Sequence, residues 1–268
     1  MHEGRGQLSV RFGKALACAG VAWHGGAVVD PGSGDVVYGR MRWNAPLSED
    51  HAELLLERLA VAVGDEVLDL GCGWGELLLR TVVDKPDAKA VAVDSDAWAL
   101  QRGRNAAVLR GLSERVTFVT GDISTWVAPA DRVLCVGASH AWGGSAEALK
   151  ALSRVVRPGG RILVGDEYWE RSPSDRAAAF CGAGVLPLSG LVEAAVTAGW
   201  RVIHLSTADL REWDDFESTW RAGRLEWLLD NPDDERAVLV GQKLEEQLRE
   251  YVDCYRGVLG FAYLVLTS

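Results

Sequence analysis

The chain has 268 residues, of which 48% are hydrophobic and 25% charged, and its formal net charge at pH 7 is −10. This composition is ordinary for a globular protein with an ample core, while the acidic balance disfavours the phosphate-neutralising surface that a nucleic-acid modifier needs. No apolar run is long enough for a membrane span, and the five scattered cysteines include no C-x-x-C pair. We therefore expect a cytoplasmic protein with reduced thiols and no metal site, which has neither nucleic acid nor a membrane as a partner.

The first fifty residues contain many glycines and show no clear periodicity. Residues 27–38 have two apolar segments around Pro31-Gly32, a pattern that predicts a β-hairpin. Residues 1–50, which include Trp23 and His24, are expected to form an arm. This arm either packs on the core or serves as a lid over an active site, and residues 51–268 are expected to form the main domain.

Strand and helix patterns alternate from Ser48 to the end of the chain. Ser48 is a good N-cap for a helix that has Leu55 and Leu59 on its apolar face. Residues 67–70 are typical of a strand buried on both faces, and helical spacing begins after Gly75. Later strands are predicted at 90–94, 116–120, 131–136, 161–166, 200–206 and 257–266, and helices at 97–110, 145–156, 189–198, 213–230 and 233–254. Such alternation requires a mostly parallel sheet with helices on both faces.

The turn after the first strand has the sequence G-C-G-W-G at residues 71–75. Its glycines let the backbone turn sharply and let a ligand approach closely, as in a nucleotide-binding α/β sheet. A dinucleotide fold has G-x-G-x-x-G, but here Glu76 stands in the place of the third glycine. Asp69, two residues before the turn, would repel a pyrophosphate but suits an ammonium or sulfonium ligand. Asp94, at the end of the second strand, is placed to accept hydrogen bonds from ribose hydroxyls.

This combination of a glycine turn and acidic residues resembles the class I S-adenosylmethionine-dependent methyltransferases, over about residues 44–268. The resemblance implies an α/β fold with a Rossmann-like, seven-stranded, mostly parallel sheet, an antiparallel last strand and a helical cap insertion at about residues 211–255. It also implies S-adenosylmethionine as the cofactor. In that family an acid after the third strand meets the adenine amino group beside an apolar neighbour, and Asp122 and Ile123 match these positions. The predicted cofactor-binding residues are Asp69, Gly71, Cys72, Gly73, Asp94, Ser95, Asp122, Ile123 and Gly137.

Further runs are similar to a largely uncharacterised bacterial small-molecule branch of this family. They are Val136-Gly-Ala-Ser, Val164-Gly-Asp-Glu-Tyr-Trp and Trp213-Asp-Asp-Phe-Glu. They are more specific than the glycine turn, but they do not identify a substrate.

Candidate catalytic residues follow the fourth and fifth strands, because the reacting groups of an open α/β sheet lie at the carboxyl ends of its strands. His140 is the preferred general base, since imidazole titrates near neutral pH. Glu167 and Glu170 are alternative candidates for the general base, because a carboxylate beside an apolar wall has a raised pKa. Each also has a structural alternative: a loop histidine for His140, and solvated loop charges for the two acids.

Aromatic residues are predicted to form a wall over the substrate, which suits a flat apolar or a cationic molecule. The predicted substrate-binding residues are Trp23, His24, Tyr168, Trp169, Trp213 and Trp220. Ordinary core packing is the alternative for each tryptophan. We predict methyl transfer by in-line displacement to O, N or C of a small, aromatic or apolar molecule, by a monomer or a homodimer. A non-catalytic S-adenosylmethionine-binding module and an NAD-dependent oxidoreductase are the alternatives, and Glu76 disfavours the second.

Overall fold

The computed structural model describes residues 34–182 and 184–268, and within them eight strands form a single mixed sheet. The strands are β1 (Glu66–Leu70), β2 (Lys89–Asp94), β3 (Val116–Thr120), β4 (Ala130–Val136), β5 (Val156–Trp169), β6 (Leu186–Pro187), β7 (Arg201–Thr207) and β8 (Leu259–Thr267). Their order is β3-β2-β1-β4-β5-β8-β7, and the two-residue strand β6 pairs with β5. Strands β1 to β5 pair in parallel, whereas β8 is antiparallel to both β5 and β7. The predicted α/β class, with a mostly parallel sheet and an antiparallel last strand, is confirmed.

Helices precede or connect these strands and cover both faces of the sheet. They are α1 (Gly34–Tyr38), α2 (Glu49–Leu59), α3 (Glu76–Val83), α4 (Ala97–Leu109), α5 (Ser145–Leu152), α6 (Asp175–Cys181), α7 (Leu188–Thr197), α8 (Leu210–Asp230) and α9 (Ala237–Glu250). The α8–α9 break falls at Asn231-Pro232, as expected from proline's missing N–H. Among the described residues, no helix is long and apolar enough to cross a membrane.

Helix starts are set by capping residues that the sequence identifies. The Ser48 hydroxyl accepts a hydrogen bond from the His51 N–H at 3.3 Å, and Asp96 caps α4 in the same manner. Asp209 and Glu212 form a reciprocal capping box at the start of α8. These side chains satisfy backbone N–H groups that the helix itself leaves without partners.

Two apolar layers cover the sheet. One contains Leu55 of α2, Leu79 of α3 and Leu100 of α4, and it extends to the aromatic residues of α8 and of the π-helical turn Tyr251–Tyr255. The other contains Leu149 of α5 and Leu191 of α7. Helices α8 and α9 and the turn Tyr251–Tyr255, here named the cap helices, therefore lie on the first layer, in the region of the predicted cap insertion.

Two local predictions are wrong. Residues 34–38 belong to a helix and not to a hairpin, because α1 packs against α8, where the Val36 carbonyl lies too close to Gly223 for any Cβ to fit. The predicted strand 161–166 is longer at both ends, because β4 pairs with β5 at Val156 and β8 pairs with β5 as far as Trp169. Glu167, Tyr168 and Trp169 are therefore strand residues, and their side chains alternate between the two faces.

Candidate active site

A cleft of about 570 Å³ lies at the carboxyl ends of β1, β2 and β4. This volume is within the range of small-molecule sites. The cleft brings together all of the predicted cofactor-binding residues and His140. Its lining includes Asp69, Gly71, Cys72, Gly73, Asp94, Ser95, Asp122, Ile123, Gly137 and His140. The roles of these residues stay predictions, but their meeting in one cleft is a structural fact.

The glycine turn forms the floor of the cleft. The Gly71 N–H donates to the Val93 carbonyl at 2.9 Å, and its φ of +79° is one that side-chain-bearing residues rarely adopt. A Cβ on Gly71 would lie closer than 3.0 Å to the Cβ of Ala138. Gly73 differs, because nothing lies within 4 Å of the place where its Cβ would be. The backbone at Gly73 is thus open to a ligand, as a cradle for a nucleotide-like group requires.

The Asp94 carboxylate is held by two backbone N–H groups. One oxygen accepts from the Gly73 N–H at 2.8 Å and the other from the Asp96 N–H at 2.9 Å. Each carboxylate oxygen has further acceptor capacity beyond one hydrogen bond. Asp94 is therefore oriented in advance to accept hydrogen bonds from hydroxyl groups in the cleft.

Asp69 is a buried acid on the wall of the cleft, with only 5% of its surface exposed. Burial, and secondarily the charge of Asp94, raises the pKa of Asp69 to about 8. A cation bound beside these two acids would stabilise the ionised form and reverse this shift. The pair is therefore suited to a positively charged ligand.

Asp122 and Ile123 form a polar and an apolar contact side by side. The Asp122 carboxylate accepts from the Ser124 N–H at 2.9 Å and from the Ser124 hydroxyl at 2.7 Å, and these hydrogen bonds lower the pKa of Asp122. Ile123 is 8% exposed and packs in the layer that also contains Ala138. An ionised acceptor beside an apolar surface suits a planar base with an exocyclic amino group.

The segment Trp43–Ala45 lines the cleft from the side of the N-terminal region, and it was not among the predicted site residues. Hydrogen bonds to the residues just before this segment hold it in place. The Trp74 indole N–H donates to the Arg42 carbonyl at 2.8 Å. The Arg102 guanidinium donates to the Tyr38 and Met41 carbonyls at 2.8 and 2.6 Å. Arg102 also stacks on the Trp74 ring, with its Cζ 4.2 Å from the ring centroid. These contacts depend on tertiary packing and leave no periodic signal in the sequence.

His140 lies in the short 3₁₀ helix Ser139–Trp142 and lines the cleft. Its Nδ1 atom is buried and has no hydrogen-bond partner in residues 34–182 and 184–268. Behind it, the Asp166 carboxylate accepts from the Ser145 hydroxyl at 2.5 Å, and burial raises the pKa of Asp166. His140 is the one predicted catalytic residue that the structure brings to the cleft.

The other predicted catalytic and substrate residues lie away from the described cleft. Glu170 is exposed and accepts a hydrogen bond from the Tyr168 hydroxyl. The Tyr168 ring packs over Gly260 in the opposite apolar layer, because Tyr168 alternates with Glu167 along β5. Trp23 and His24 are outside the described residues.

The remaining four predicted residues lie where the cap helices meet the sheet. Trp213 and Trp220 are buried, at 4% and 2% exposure, in the first apolar layer, and the partly buried Trp169 packs against that layer. Glu167 is also buried, at 4% exposure, on the same face of β5 as Trp169. Core packing, the alternative interpretation of the tryptophans, thus describes Trp213 and Trp220 in this structure.

Known proteins are similar to most of this chain. Residues 67–160 match the family described as a methyltransferase domain. The uncharacterized protein YjhP of Escherichia coli is 32% identical over 234 residues, which are 85% of this chain and 94% of that protein. Two solved structures are S-adenosylmethionine-dependent methyltransferases in complex with S-adenosyl-L-homocysteine. The one from Geobacter sulfurreducens has a TM-score of 0.79 and 30% identity, with 87% of this chain and 96% of that chain covered. The one from Thiobacillus denitrificans has a TM-score of 0.79 and 28% identity, with 87% and 97% covered.

Proposed function

Because the chain belongs to the class I S-adenosylmethionine-dependent methyltransferases and uses S-adenosylmethionine as its cofactor, we propose that it methylates a small molecule with an apolar or aromatic body. One observation carries the small-molecule part of this proposal. The segment Trp43–Ala45 and the His140 loop line two sides of a cleft of about 570 Å³. An acceptor must enter such a pocket, whereas a macromolecular strand would need an open groove.

The cleft residues are proposed to hold the cofactor in three places. Asp94 accepts the ribose hydroxyls, Asp122 and Ile123 contact the adenine, and Asp69 faces the positively charged part. This assignment is supported by the orientation of the Asp94 carboxylate and by the raised pKa of Asp69, which a bound cation would lower. The bound cofactor supplies an activated methyl group on a sulfonium. The chain itself supplies alignment of the acceptor and, where the acceptor needs it, a group that takes a proton.

His140 is proposed as that proton-accepting group. Its support is its place on the cleft wall and its unpaired Nδ1 atom. A neutral imidazole can accept a proton from a hydroxyl or an acidic carbon at one ring nitrogen. If the protein instead only binds the cofactor and works through partners, His140→Ala would leave the affinity for the cofactor unchanged.

The test is calorimetric titration of S-adenosyl-L-homocysteine into the wild type, Asp94→Ala and the control Asp84→Ala. Asp84→Ala removes the same charge from an exposed position at the end of α3. We expect binding by the wild type and the control, and affinity lower by about ten- to a hundredfold in Asp94→Ala, since hydrogen bonds to a charged group contribute about 1.5–3 kcal/mol. Absence of binding by the folded wild type, or unchanged affinity in Asp94→Ala, would contradict the assigned site.

A further inference from the structure

A second cavity lies beside the cofactor cleft. Its volume is about 390 Å³, which is within the range of small-molecule sites. Trp43 and Ala45 line both this cavity and the cleft, so the two spaces adjoin at the segment that contains these residues. Helix α8 forms another wall of the second cavity and contributes Asp215, Phe216 and Thr219. A molecule that reaches into the cleft therefore has an adjoining space below a cap helix.

The methyl acceptor needs such a space. All of the predicted cofactor-binding residues line the cleft, so the cofactor is expected to fill the part of the cleft along the strand ends. In-line transfer requires the reacting atom of the acceptor next to the methyl group, with its other atoms in adjoining space. Another cavity shares Ser124 with the cleft, but it holds only about 130 Å³ and lies at the proposed adenine end. The second cavity is therefore the better place for the body of the acceptor.

The Trp43 ring, at the border of the two cavities, is held from one side. The Arg80 guanidinium lies over this ring, with its Cζ 4.6 Å from the ring centroid. Arg80 in turn donates to the Glu49 carboxylate at 2.5 Å, and Glu49 also forms an ion pair with Arg42. An aromatic ring that is fixed in this way offers an apolar surface to a group that lies along it.

The charges that line the second cavity are balanced except for one carboxylate. Arg42 and Glu49 pair with each other. Arg40 pairs with Glu226, and the Glu212 carboxylate accepts hydrogen bonds from the Ser48 N–H and hydroxyl. The exposed carboxylate of Asp215 has no ion pair or hydrogen bond with any residue in the described part of the chain. Complementary charges across an interface favour the correct partner, so this cavity favours a ligand with a positive group.

We propose that the second cavity binds the body of the methyl acceptor, and that the acceptor carries a cationic group remote from the atom that is methylated. The proposal rests on the proposed small-molecule methylation and names its substrate class. The reacting end lies in the cleft, and an apolar segment lies along Trp43. The cationic group pairs with Asp215, and the Thr219 hydroxyl, one helical turn later on the same face of α8, accepts a further hydrogen bond.

The experiment uses analogues of S-adenosyl-L-homocysteine in which a nitrogen replaces the sulfur and carries an arm in the place of the transferred methyl group. Because that methyl group must point at the acceptor, the arm follows the path of the acceptor. Arms from propyl to hexyl, each ending in a methyl or an ammonium group, are compared with an N-methyl reference by titration calorimetry. Beyond a threshold length, we expect the ammonium end to bind about three- to fivefold more tightly than the methyl end, as for an exposed ion pair. General attraction to an acidic protein would instead favour the ammonium end at every length.

Variants of α8 assign the effect to the second cavity. Asp215→Asn should abolish the preference for the ammonium end, whereas Asp230→Asn removes the same charge from another exposed position of the helix and should preserve it. Thr219→Trp fills the cavity and should weaken binding of the long arms at least tenfold, without changing the affinity for S-adenosyl-L-homocysteine. Leu229→Trp, at a position that is 70% exposed, is the control for the added ring. Unchanged affinity for S-adenosyl-L-homocysteine shows that each variant is folded, and the length series on the wild type needs no variant.

The outcomes separate this inference from the function on which it rests. Failure of the wild type to bind S-adenosyl-L-homocysteine overturns the proposed function. If that ligand binds but the long arms bind Thr219→Trp as tightly as the wild type, the second cavity is not the acceptor site. Equal affinity of the two kinds of arm at every length, or a preference that survives in Asp215→Asn, overturns the pairing of a cationic group with Asp215.

Discussion

Gly71→Ala tests why glycine is required at position 71: because of close packing against Ala138, or only because of its backbone conformation. Gly71 has a φ of +79°, and a Cβ there would meet the Cβ of Ala138 at less than 3.0 Å. Gly64, in the turn before β1, has a φ of +80° but nothing within 4 Å of its Cβ position. Gly64→Ala is therefore a matched control that carries the same backbone strain without the steric overlap.

The two substitutions differ in expected magnitude. Alanine in the left-handed region costs about 1–2 kcal/mol, and this is the whole expected loss for Gly64→Ala. Overpacking adds about 1–3 kcal/mol, so Gly71→Ala should lose about 2–5 kcal/mol of unfolding free energy. Ala138 precedes the His140 helix, and its displacement should also lower the affinity for S-adenosyl-L-homocysteine at least tenfold. Gly64→Ala should leave that affinity unchanged.

A double-mutant cycle with Ala138→Gly checks the cause. Urea unfolding and calorimetry on the wild type, both single variants and the double variant should show a coupling of about 1–3 kcal/mol, because Ala138→Gly removes the methyl group that the new Cβ meets. Affinity for S-adenosyl-L-homocysteine should recover in the double variant. Equal losses in Gly71→Ala and Gly64→Ala, with additive effects of Gly71→Ala and Ala138→Gly, would refute the packing explanation.

Two further predictions concern Asp69 and Glu212, whose pKa values shift in opposite directions. The folded pKa of Asp69, about 8, lies above its unfolded value, so the native state binds more protons and its stability falls as pH rises towards 8. Thermal melts of Asp69→Asn without ligand should show higher stability than wild type at pH 8, with weaker S-adenosyl-L-homocysteine binding; unchanged stability would contradict the burial argument. Burial raises the pKa of Glu212, but hydrogen bonds from His51 and Ser48 outweigh this effect and hold the pKa at about 2. The stability that the ionised Glu212 contributes is therefore present above about pH 4.5 and is lost as the pH falls towards 2. Glu212→Gln should lower the free energy of unfolding by about 1.5–3 kcal/mol at pH 7 and should reduce the fall of the melting temperature between pH 4.5 and pH 2. If the melting temperature of Glu212→Gln fell with pH as much as that of the wild type, the stabilising role of Glu212 would be contradicted.

The meeting of the predicted cofactor-binding residues in one cleft was predictable because these residues lie at or after strand ends. The apolar run Val67–Leu70 marks a buried strand, and the next residues must then lie at its carboxyl edge, whatever the details of the packing. The same holds for Asp94, which ends β2, and for Asp122 and His140, which lie a few residues after β3 and β4. Local signals were sufficient for these positions, since parallel strands bring their carboxyl ends to one edge.

Features that depend on contacts between distant segments were not predictable. Trp43–Ala45 reaches the cleft through contacts of its neighbours with Trp74 and Arg102, and no pattern within residues 34–47 specifies these contacts. Tyr168 was expected at the substrate, but β5 extends through it by pairing with β8. Because side chains along a strand alternate between its two faces, the register of β5 places Tyr168 on the face opposite to Glu167 and Trp169. The register with a partner strand that follows more than ninety residues after Tyr168 is not encoded in the local sequence.

The acids of this chain divide into two groups by their environment. Glu212 and Asp214 have cationic or hydrogen-bonding partners and lowered pKa values, so they stabilise the fold at neutral pH. Asp69, Glu167 and Glu217 are buried, and their pKa values are raised chiefly by desolvation, which makes each a cost to stability wherever it ionises. Apolar or amide side chains of similar size would avoid that cost, so these acids are candidates for a role in binding. A cation beside Asp69, where the sulfonium of the cofactor is proposed to bind, would turn this acid into a stabilising partner.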